Sequence, residues 1–158
     1  MNEFNIKLRE LSALDLPLLV KIETNPDNLV FSGITEVPSI DDLIALINEE
    51  ASIFSSKQKR FTIEYKNSAV GFADLFEANF NTLTANVGII VLPEYRKLQI
   101  GTASIRMLCD AARTYGIKTL IAQCKCDNKP SILLFQKANF SIVSQTNQTV
   151  HLQLQLDA

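Results

Sequence analysis

The sequence predicts an α+β fold built as one unit, and three observations lead to this prediction. Segments with strand-like and helix-like periodicity follow one another as strand, two helices, three strands, helix, strand, helix and two strands. The length of 158 residues suits one domain, and we expect residues 1–158 to form it. Apolar residues make up 47% of the chain and charged residues 20%, which excludes intrinsic disorder.

The chain opens with a predicted strand and a short helix. Three apolar residues alternate with polar ones, as in a strand with one buried face; they are Phe4, Ile6 and Leu8. Ser12 and Asp15 have the spacing of a capping box, and apolar residues follow at helical spacing until Asn25-Pro26. These two signals predict a short first helix between them.

A second helix is predicted from a similar start signal. Ser39 and Asp42 form the next capping box. The apolar residues after it lie on one helical face; they are Ile40, Leu43, Ile44, Ile47, Ala51 and Phe54. We therefore expect one amphipathic helix that extends to Phe54.

The middle of the chain predicts an antiparallel meander. Three β-rich runs are separated by short polar turns at Asn67-Ser68 and at residues 79–82. The runs are Arg60 to Tyr65, Ala69 to Phe76 and Leu83 to Val91. Three strands joined by such short turns pair with their neighbours in sequence.

The last third of the chain alternates between the two kinds of element. Apolar residues at helical spacing predict a helix from Ile100 to Tyr115, and Gly116 is its C-terminal stop. The remaining predictions are a strand from Thr119 to Lys125, a helix from Pro130 to Ala138, and two strands within Ser141 to Leu156.

Charge and hydropathy exclude several classes of protein. Fifteen Lys and Arg against 17 Asp and Glu give a net charge of −2, so no basic field for nucleic acid is present, and an RNA-binding function is set aside. The longest apolar stretches are far too short for a membrane-spanning helix, and the N-terminus has no basic segment followed by an apolar one. We expect a cytoplasmic protein without a membrane partner.

The three cysteines favour reduced thiols over a disulfide framework or a metal site. Cys124 and Cys126 share one face of a predicted strand, and Cys109 lies in a helix. His151 is the only histidine, and a Cys-x-Cys pair with one distant histidine lacks the ligand spacing of zinc sites. No metal cofactor is expected.

The stretch from Val87 to Ala103 carries the clearest chemical signal. An apolar strand ends at Pro93, a loop with Arg96 and Lys97 follows, and a helix begins close to Gly101. Such a junction directs unpaired backbone N–H groups and the positive end of the helix dipole toward one point, which suits a pyrophosphate. An ordinary surface loop with a glycine near a helix start is the alternative interpretation.

This stretch resembles the acetyl-CoA-binding motif of the GNAT superfamily of N-acetyltransferases. That loop commonly reads Arg or Gln, two residues, Gly, one residue, then Gly or Ala, and Arg96 and Gly101 fill its first and last places. Residues 128–140 resemble the second signature of the family, with Asn128, Ser131 and an aromatic Phe135. The element order and residues 30–36 are similar too, and the ribosomal-protein and polyamine acetyltransferase branches are the most similar.

The resemblance implies a fold and a ligand. The fold is a splayed, mostly antiparallel, seven-stranded mixed sheet of the three-layer type, flanked by about four helices, with acetyl-CoA as co-substrate in the cleft between the fourth and fifth strands. The pyrophosphate is expected at Lys97 to Thr102 and the pantetheine arm at Ile89 to Val91. The implied cofactor-binding residues are Ile89, Ile90, Val91, Arg96, Lys97, Leu98, Gln99, Ile100, Gly101, Thr102, Asn128, Ser131 and Phe135.

The sequence departs from the family pattern at three positions. Gln99 replaces the first glycine of the loop, so its side chain must point away from the phosphates if the backbone keeps its shape. Asn139 replaces the closing glycine and is the best other residue for a left-handed helix end. Phe135 stands where the family often has a tyrosine that protonates the leaving thiolate, and it has no proton to give.

Acetyl transfer needs a neutral amine, a polarised carbonyl and a proton for the thiolate. We expect a backbone N–H of the fourth strand, from Val91 or Ile90, to polarise the carbonyl. The candidate bases are Glu36, Asp74, Glu77 and Glu94, of which Asp74 and Glu77 are expected to face the acceptor side. Each is also a common type of solvated or paired carboxylate.

The leading hypothesis is an N-acetyltransferase that moves acetyl from acetyl-CoA to a primary amine of a small molecule or a protein N-terminus. The amine attacks directly in a ternary complex. The alternative is a non-catalytic module that keeps the fold and binds acyl-CoA or a partner, which the changes at Gln99 and Phe135 allow. The family resemblance also implies a homodimer through the last strands.

Overall fold

A computed structural model of the protein describes residues 5–26, 37–48, 52–96 and 99–157. The seven strands are β1 (Ile6–Glu10), β2 (Lys59–Tyr65), β3 (Ser68–Asn79), β4 (Thr84–Val91), β5 (Thr119–Lys125), β6 (Ser141–Gln145) and β7 (Thr149–Gln155). The helices in these ranges are α1 (Leu16–Glu23), α2 (Ile40–Ile47), α3 (Ile53–Ser56), α4 (Ile100–Thr114) and α5 (Lys129–Lys137), together with 3₁₀ turns at Ala13–Asp15 and Pro93–Tyr95. The predicted order of elements is confirmed except between β1 and β2, where the described residues form three α-helices and not two.

The strands form one mixed sheet with an opening in its middle. Their order is β1-β2-β3-β4-β5-β7-β6, and β4 with β5 is the parallel pair of this sheet. That pair is in register only from Thr84 opposite Thr119 to Asn86 opposite Ile121. Because β4 continues to Val91 without this partner, the predicted splay between the fourth and fifth strands is confirmed.

The predicted meander of β2, β3 and β4 is confirmed, and its register aligns three residues across the strands. Arg60 lies opposite Asp74, and Asp74 lies opposite Gly88. Residues directly opposite one another in antiparallel strands share a face of the sheet. These three positions therefore lie on one face in a row that ends at the opening.

The helices cover both faces of the sheet and bury two apolar clusters. One cluster joins α4 to the face that carries Ala73, Leu75 and Val87. The other joins α1 and α2 to the opposite face around Phe72; its fully buried members are Leu19, Ile22, Leu43, Phe72 and Leu92. None of the helices in the described ranges is both long and apolar enough to cross a membrane.

The prediction of one long second helix is wrong. Its capping box is present, since the Asp42 N–H donates to Ser39 Oγ and the Ser39 N–H donates to Asp42 Oδ2, each at 3.1 Å. However, α2 ends at Ile47, and α3 begins only at Ile53. Leu43 is buried, whereas Ile40 and Phe54 are more than half exposed. Ala51 lies outside the described residues.

Tertiary packing explains why the apolar stripe does not form one helical face. The ring of Phe54 lies 4.7 Å from that of Phe80, beyond β3, and 6.1 Å from that of Tyr115, beyond α4. Leu43 packs in the other cluster, beside Phe72. The spacing of apolar residues is compatible with one helix, but the residues serve two different parts of the core.

Two helices end as their C-terminal signals predict. After α4, Gly116 has φ +80°, and the Ile117 N–H donates to the Ala112 carbonyl. After α5, Asn139 has φ +74°, and the Phe140 N–H donates to the Phe135 carbonyl. Both ends are Schellman motifs, in which the residue after the helix adopts the left-handed conformation.

A buried carboxylate joins β1, β2 and the start of α1. Asp15 is 1% exposed and accepts two hydrogen bonds from Arg9, at 2.7 and 2.8 Å. It also accepts from the Ser12 N–H and the Thr62 hydroxyl, each at 2.9 Å. Burial acts to raise the pKa of Asp15, but these hydrogen bonds together hold the pKa below its ordinary value.

Candidate functional site

The opening between β4 and β5 leads into a cleft of about 1720 Å³. Its walls come from β4, from the first turns of α4 and α5, and from residues of α1, β2 and β3 on the other side. The predicted cofactor residues that line it are Ile89, Ile90, Val91, Arg96, Gln99, Ile100, Gly101, Thr102, Asn128, Ser131 and Phe135. Lys97 and Leu98 lie outside the described residues. Segments some 30 residues apart in the chain thus meet at one cleft.

The backbone of β4 presents N–H groups to this cleft that have no strand partner among the described residues. The Leu92 N–H donates to the Val70 carbonyl at 2.8 Å, and Ile90 lies opposite Phe72 in the same register. N–H groups alternate in direction along an antiparallel strand, so those of Leu92 and Ile90 face β3. Those of Ile89 and Val91 then face the opening. Of the two donors that the sequence suggests, Val91 is the one directed into the cleft.

Arg96 stands at the end of this row of backbone groups. Its Nε donates a hydrogen bond to the Val91 carbonyl at 3.0 Å, while its side chain remains largely exposed. The guanidinium carries five N–H donors, and no contact of its terminal nitrogens is seen among the described residues, while Nε holds the strand end. Arg96 therefore connects the end of β4 with the loop before α4.

The residue before α4 adopts the conformation for which glycine is usual. Gln99 has φ +62° and ψ +13°, and α4 begins at Ile100. The first N–H groups of a helix have no partner within the helix, and here they belong to residues that line the cleft. The side chain of Gln99 is exposed at the rim. The left-handed backbone of this loop thus persists without the glycine of the family pattern.

Gly101 makes room for a neighbouring helix. A Cβ atom at this position would lie 3.0 Å from Cδ1 and 3.2 Å from Cδ2 of Leu134, which belongs to α5. From the sequence, Gly101 is expected to allow the close approach of a ligand. The structure adds a second reason for glycine, because α4 and α5 pack closely where both begin to line the cleft.

The start of α5 supplies polar groups and an apolar wall. Asn128 caps the helix, with its Oδ1 accepting from the Ser131 N–H at 3.4 Å. Phe135 is 4% exposed, and its ring lies 5.1 Å from that of Phe140. The aromatic position of the second signature therefore belongs to the core and gives the cleft an apolar surface.

Of the described candidate bases, Asp74 lines the cleft. It accepts two hydrogen bonds from Arg60, at Oδ1 from Nε and at Oδ2 from a terminal nitrogen, each at 2.8 Å. Burial raises the pKa of Asp74 above its ordinary value, and the charge of Glu23 adds to this effect while Arg60 opposes it. A carboxylate with a raised pKa is better suited to accept a proton than an ordinary surface aspartate.

The other candidate bases lie elsewhere. Glu77 has φ +49° at an irregularity of β3, and its carboxylate accepts from Asn86 at 2.7 Å, outside the cleft lining. Glu94 is exposed and lies 3.6 Å from Lys21; a hydrogen bond from its own backbone N–H lowers its pKa. Glu36 lies outside the described residues. Unlike Asp74, Glu77 is therefore not among the residues that line the cleft.

Glu23 and Arg60 also line the cleft, although neither is among the residues predicted from the sequence. Arg60 donates to Glu23 Oε1 at 2.7 Å as well as to Asp74. The turn alone does not predict the Arg60–Asp74 pair, because a register shift between Ile63 and Glu64 brings these two positions opposite each other. Glu23 has no signal in the sequence either, since only the packing of α1 on the sheet brings it to Arg60.

The cysteines and the histidine form no metal site among the described residues. No group of three His, Cys, Asp or Glu side chains there is arranged to hold an ion. All three cysteines are free thiols, and burial raises the pKa of Cys124 to about 11. Cys126 lies next to Thr146, whose carbonyl accepts from its thiol at 3.4 Å.

Comparisons with known proteins agree with this geometry. The family model described as "Acetyltransferase (GNAT) family" matches residues 31–140. A search of curated proteins by sequence gave no match.

Solved structures give the fold. Spermidine N-acetyltransferase from Vibrio cholerae, in complex with CoA and spermine, superposes with a TM-score of 0.84 at 18% identity, over 97% of this chain and 96% of that one. A dodecameric structure of the Vibrio cholerae enzyme gives 0.79 at 20% identity, over 97% and 95% of the chains. A domain from Methanocaldococcus jannaschii gives 0.75 at 21%, over 96% and 98%. With the family model covering most of its length, the chain belongs to the GNAT family of acetyltransferases.

Proposed function

We propose that the protein is an acetyl-CoA-dependent N-acetyltransferase that acts on a primary amine. The main supporting observation is the cleft at the opening of the sheet. There the part of β4 that has no partner in β5, the N-terminus of α4 and the carboxylate of Asp74 lie together. Membership of the GNAT family supports acetyl transfer as the class of reaction. The near-complete coverage of both chains in the structural comparisons supports one acyltransferase domain over residues 1–158.

The chain offers groups for each part of acetyl-CoA. The first N–H groups of α4 from Ile100 to Thr102, with Arg96 and Lys97, would hold the pyrophosphate. The backbone of Ile89 to Val91 would bind the amide groups of the pantetheine arm, with Asn128 and Ser131 nearby. Phe135 would form an apolar wall. The CoA in the Vibrio cholerae complex supports this ligand class.

The reaction forms a carbon–nitrogen bond and breaks the carbon–sulfur bond of the thioester. The acceptor nitrogen attacks in its neutral form within a ternary complex, while the Val91 N–H polarises the carbonyl oxygen. Asp74 accepts the proton that the nitrogen loses, through water molecules in the cleft. CoA leaves as a thiolate and takes its proton from water, because Phe135 has none to donate.

The acceptor in this proposal is a small amine or a protein N-terminal amine. The spermine in the Vibrio cholerae complex favours the small amine. The three unpaired thiols support a cytoplasmic location. The homodimer expected from the sequence belongs to the same proposal, and the dodecameric relative supports self-association as such.

Calorimetric titration with acetyl-CoA tests the proposal, with unacylated CoA as a second ligand. The double variant Arg96→Ala, Gly101→Asp removes the guanidinium and blocks the start of α4. Arg113→Ala is the matched control, because it removes an arginine from the last turn of the same helix. We expect saturable binding that the double variant loses and the control keeps.

Turnover separates this function from its alternative. Binding followed by CoA release with one of a panel of primary amines supports the enzyme. Binding without release for any amine supports a non-catalytic acyl-CoA-binding module. Absence of binding at millimolar acetyl-CoA contradicts both.

A further inference from the structure

A network of three charged side chains lies in the cleft on the α1 side of the sheet. Arg60 bonds both oxygens of Asp74 at 2.8 Å and Oε1 of Glu23 at 2.7 Å. The exposed fractions of the three side chains are 21%, 23% and 16%. Two carboxylates against one guanidinium leave the network with one surplus negative charge, which favours a cation from the solvent over an anion.

The two carboxylates differ in what they can still bind. Both oxygens of Asp74 are held by Arg60, whereas Glu23 uses only Oε1 among the described residues. Arg60 is itself fixed, since its guanidinium lies 5.3 Å from the centre of the Phe72 ring in addition to these ion pairs. Glu23 Oε2 is therefore the oxygen best placed to accept from an external ammonium group.

Gly88 opens a notch beside this network. It lies opposite Asp74 in the row that Arg60 begins, on the strand that faces the opening. A Cβ atom at Gly88 would lie 3.8 Å from Asp74 Oδ2 and 3.5 Å from Cε1 of Phe76. Glycine thus leaves the Asp74 carboxylate open on the side of β4. Val91, whose N–H faces the cleft, follows three residues later, about 10 Å along the strand.

We infer that Glu23, Arg60, Asp74 and the notch at Gly88 form the subsite that binds the acceptor as a cation. Glu23 contacts the ammonium group, and Arg60 is a positioning residue that holds both carboxylates. The inference rests on the proposed N-acetyltransferase function. Because the attacking nitrogen must be neutral, a surplus negative charge is of most use to an acceptor with two nitrogens, one held as ammonium and one that reacts.

Steady-state kinetics with a matched pair of amines tests this subsite. The probes are 1,7-diaminoheptane and heptylamine, which differ in the second nitrogen; the extended diamine matches the distance of about 10 Å between Gly88 and Val91 along the strand. The variants are Glu23→Gln, which removes the charge, and Gly88→Ala, which fills the notch with contacts of ordinary length. Glu64→Gln is the control, because Glu64 is also half-buried and paired with an arginine, but outside the cleft lining.

We expect the natural protein to prefer the diamine at least tenfold in kcat/KM. Glu23→Gln should raise the KM for the diamine at least tenfold, with kcat changed less than threefold, and abolish the preference. Gly88→Ala should raise the same KM, while Glu64→Gln should leave it unchanged. The Kd of acetyl-CoA should stay within twofold in all three variants, which shows that the cofactor side is intact.

Direct titration of the diamine into the CoA-saturated protein gives a second measurement that needs no turnover. Weaker diamine binding in Glu23→Gln than in Glu64→Gln supports the subsite. Equal binding in these two variants, or equal kcat/KM for the two amines in the natural protein, overturns the subsite while the N-acetyltransferase function stands. If the natural protein does not bind acetyl-CoA, both the subsite and the N-acetyltransferase function are overturned.

Discussion

Replacing Gln99 by glycine tests how the loop before α4 works. Gln99 holds a left-handed backbone, with φ +62° and ψ +13°, at the rim of the cleft. The same position in the family pattern is a glycine. We expect Gln99→Gly both to stabilise the fold slightly and to tighten the binding of acetyl-CoA.

The magnitude follows from two opposing backbone effects. A left-handed conformation costs a non-glycine residue about 1–2 kcal/mol. Glycine loses about 0.5–1 kcal/mol more chain entropy on folding. The net gain in the free energy of unfolding lies between about 0 and 1.5 kcal/mol, which corresponds to at most about 6 °C in Tm for a chain of this size. Glycine also has no long side chain that must become ordered when acetyl-CoA binds. This difference favours binding by about 0.5–1.5 kcal/mol, which lowers the Kd of acetyl-CoA about twofold to tenfold.

Urea unfolding and calorimetry with acetyl-CoA measure the two effects separately. Asn139→Gly is the matched control, since Asn139 has φ +74° at the end of α5 and does not line the cleft. Its Kd for acetyl-CoA should equal that of the natural protein. Its gain in stability should be smaller, because asparagine tolerates the left-handed region better than glutamine.

Two results would refute the reasoning about Gln99. A loss of stability of 1 kcal/mol or more in Gln99→Gly would mean that the glutamine side chain stabilises the loop. A weaker affinity for acetyl-CoA would mean that this side chain contacts the ligand instead of standing aside. Either outcome would contradict the interpretation that Gln99 only occupies a backbone position for which the family pattern has glycine.

Two further predictions concern Asp15 and Cys124. Asp15→Asn should lower the free energy of unfolding by about 3 kcal/mol at pH 7, because it breaks a buried ion pair. As the pKa of Asp15 is held below its ordinary value, the ionised carboxylate stabilises the fold above the unfolded pKa near 4. The difference between variant and natural protein in urea unfolding should therefore shrink as pH falls below 4, and a difference that grows on acidification contradicts this. Cys124, with a pKa of about 11, should react slowly with iodoacetamide at pH 8 and faster toward pH 11; labelling at pH 8 as fast as in guanidinium contradicts its burial.

Local signals account for what the sequence predicted well. The Ser39–Asp42 capping box and the left-handed stops at Gly116 and Asn139 each depend on a few adjacent residues. The meander follows from period-two alternation interrupted by short turns. Most residues that the sequence predicts for the cleft do line it. They lie in two continuous segments, and the order of strands and helices along the chain brings these segments together.

Long-range packing accounts for what the sequence did not predict. Glu23 and Arg60 are 37 positions apart and meet only because α1 packs on β3 next to β2. Glu77 lies at an irregularity in β3 that no turn residue announces, and it is not among the residues that line the cleft. The apolar residues between Ile40 and Phe54 pack in two different parts of the core. Periodicity alone does not show whether such residues pack against one part of the core or against two.

The short parallel contact of β4 with β5 gives the sheet a third edge, in its interior. An edge strand normally exchanges its free amide hydrogens quickly, because only water pairs with them. The amides of Ile89 and Val91 belong to the fourth of seven strands and yet face no neighbouring strand. They should exchange as edge amides do in the empty protein, and become protected when an extended, amide-bearing ligand takes the place of the missing strand.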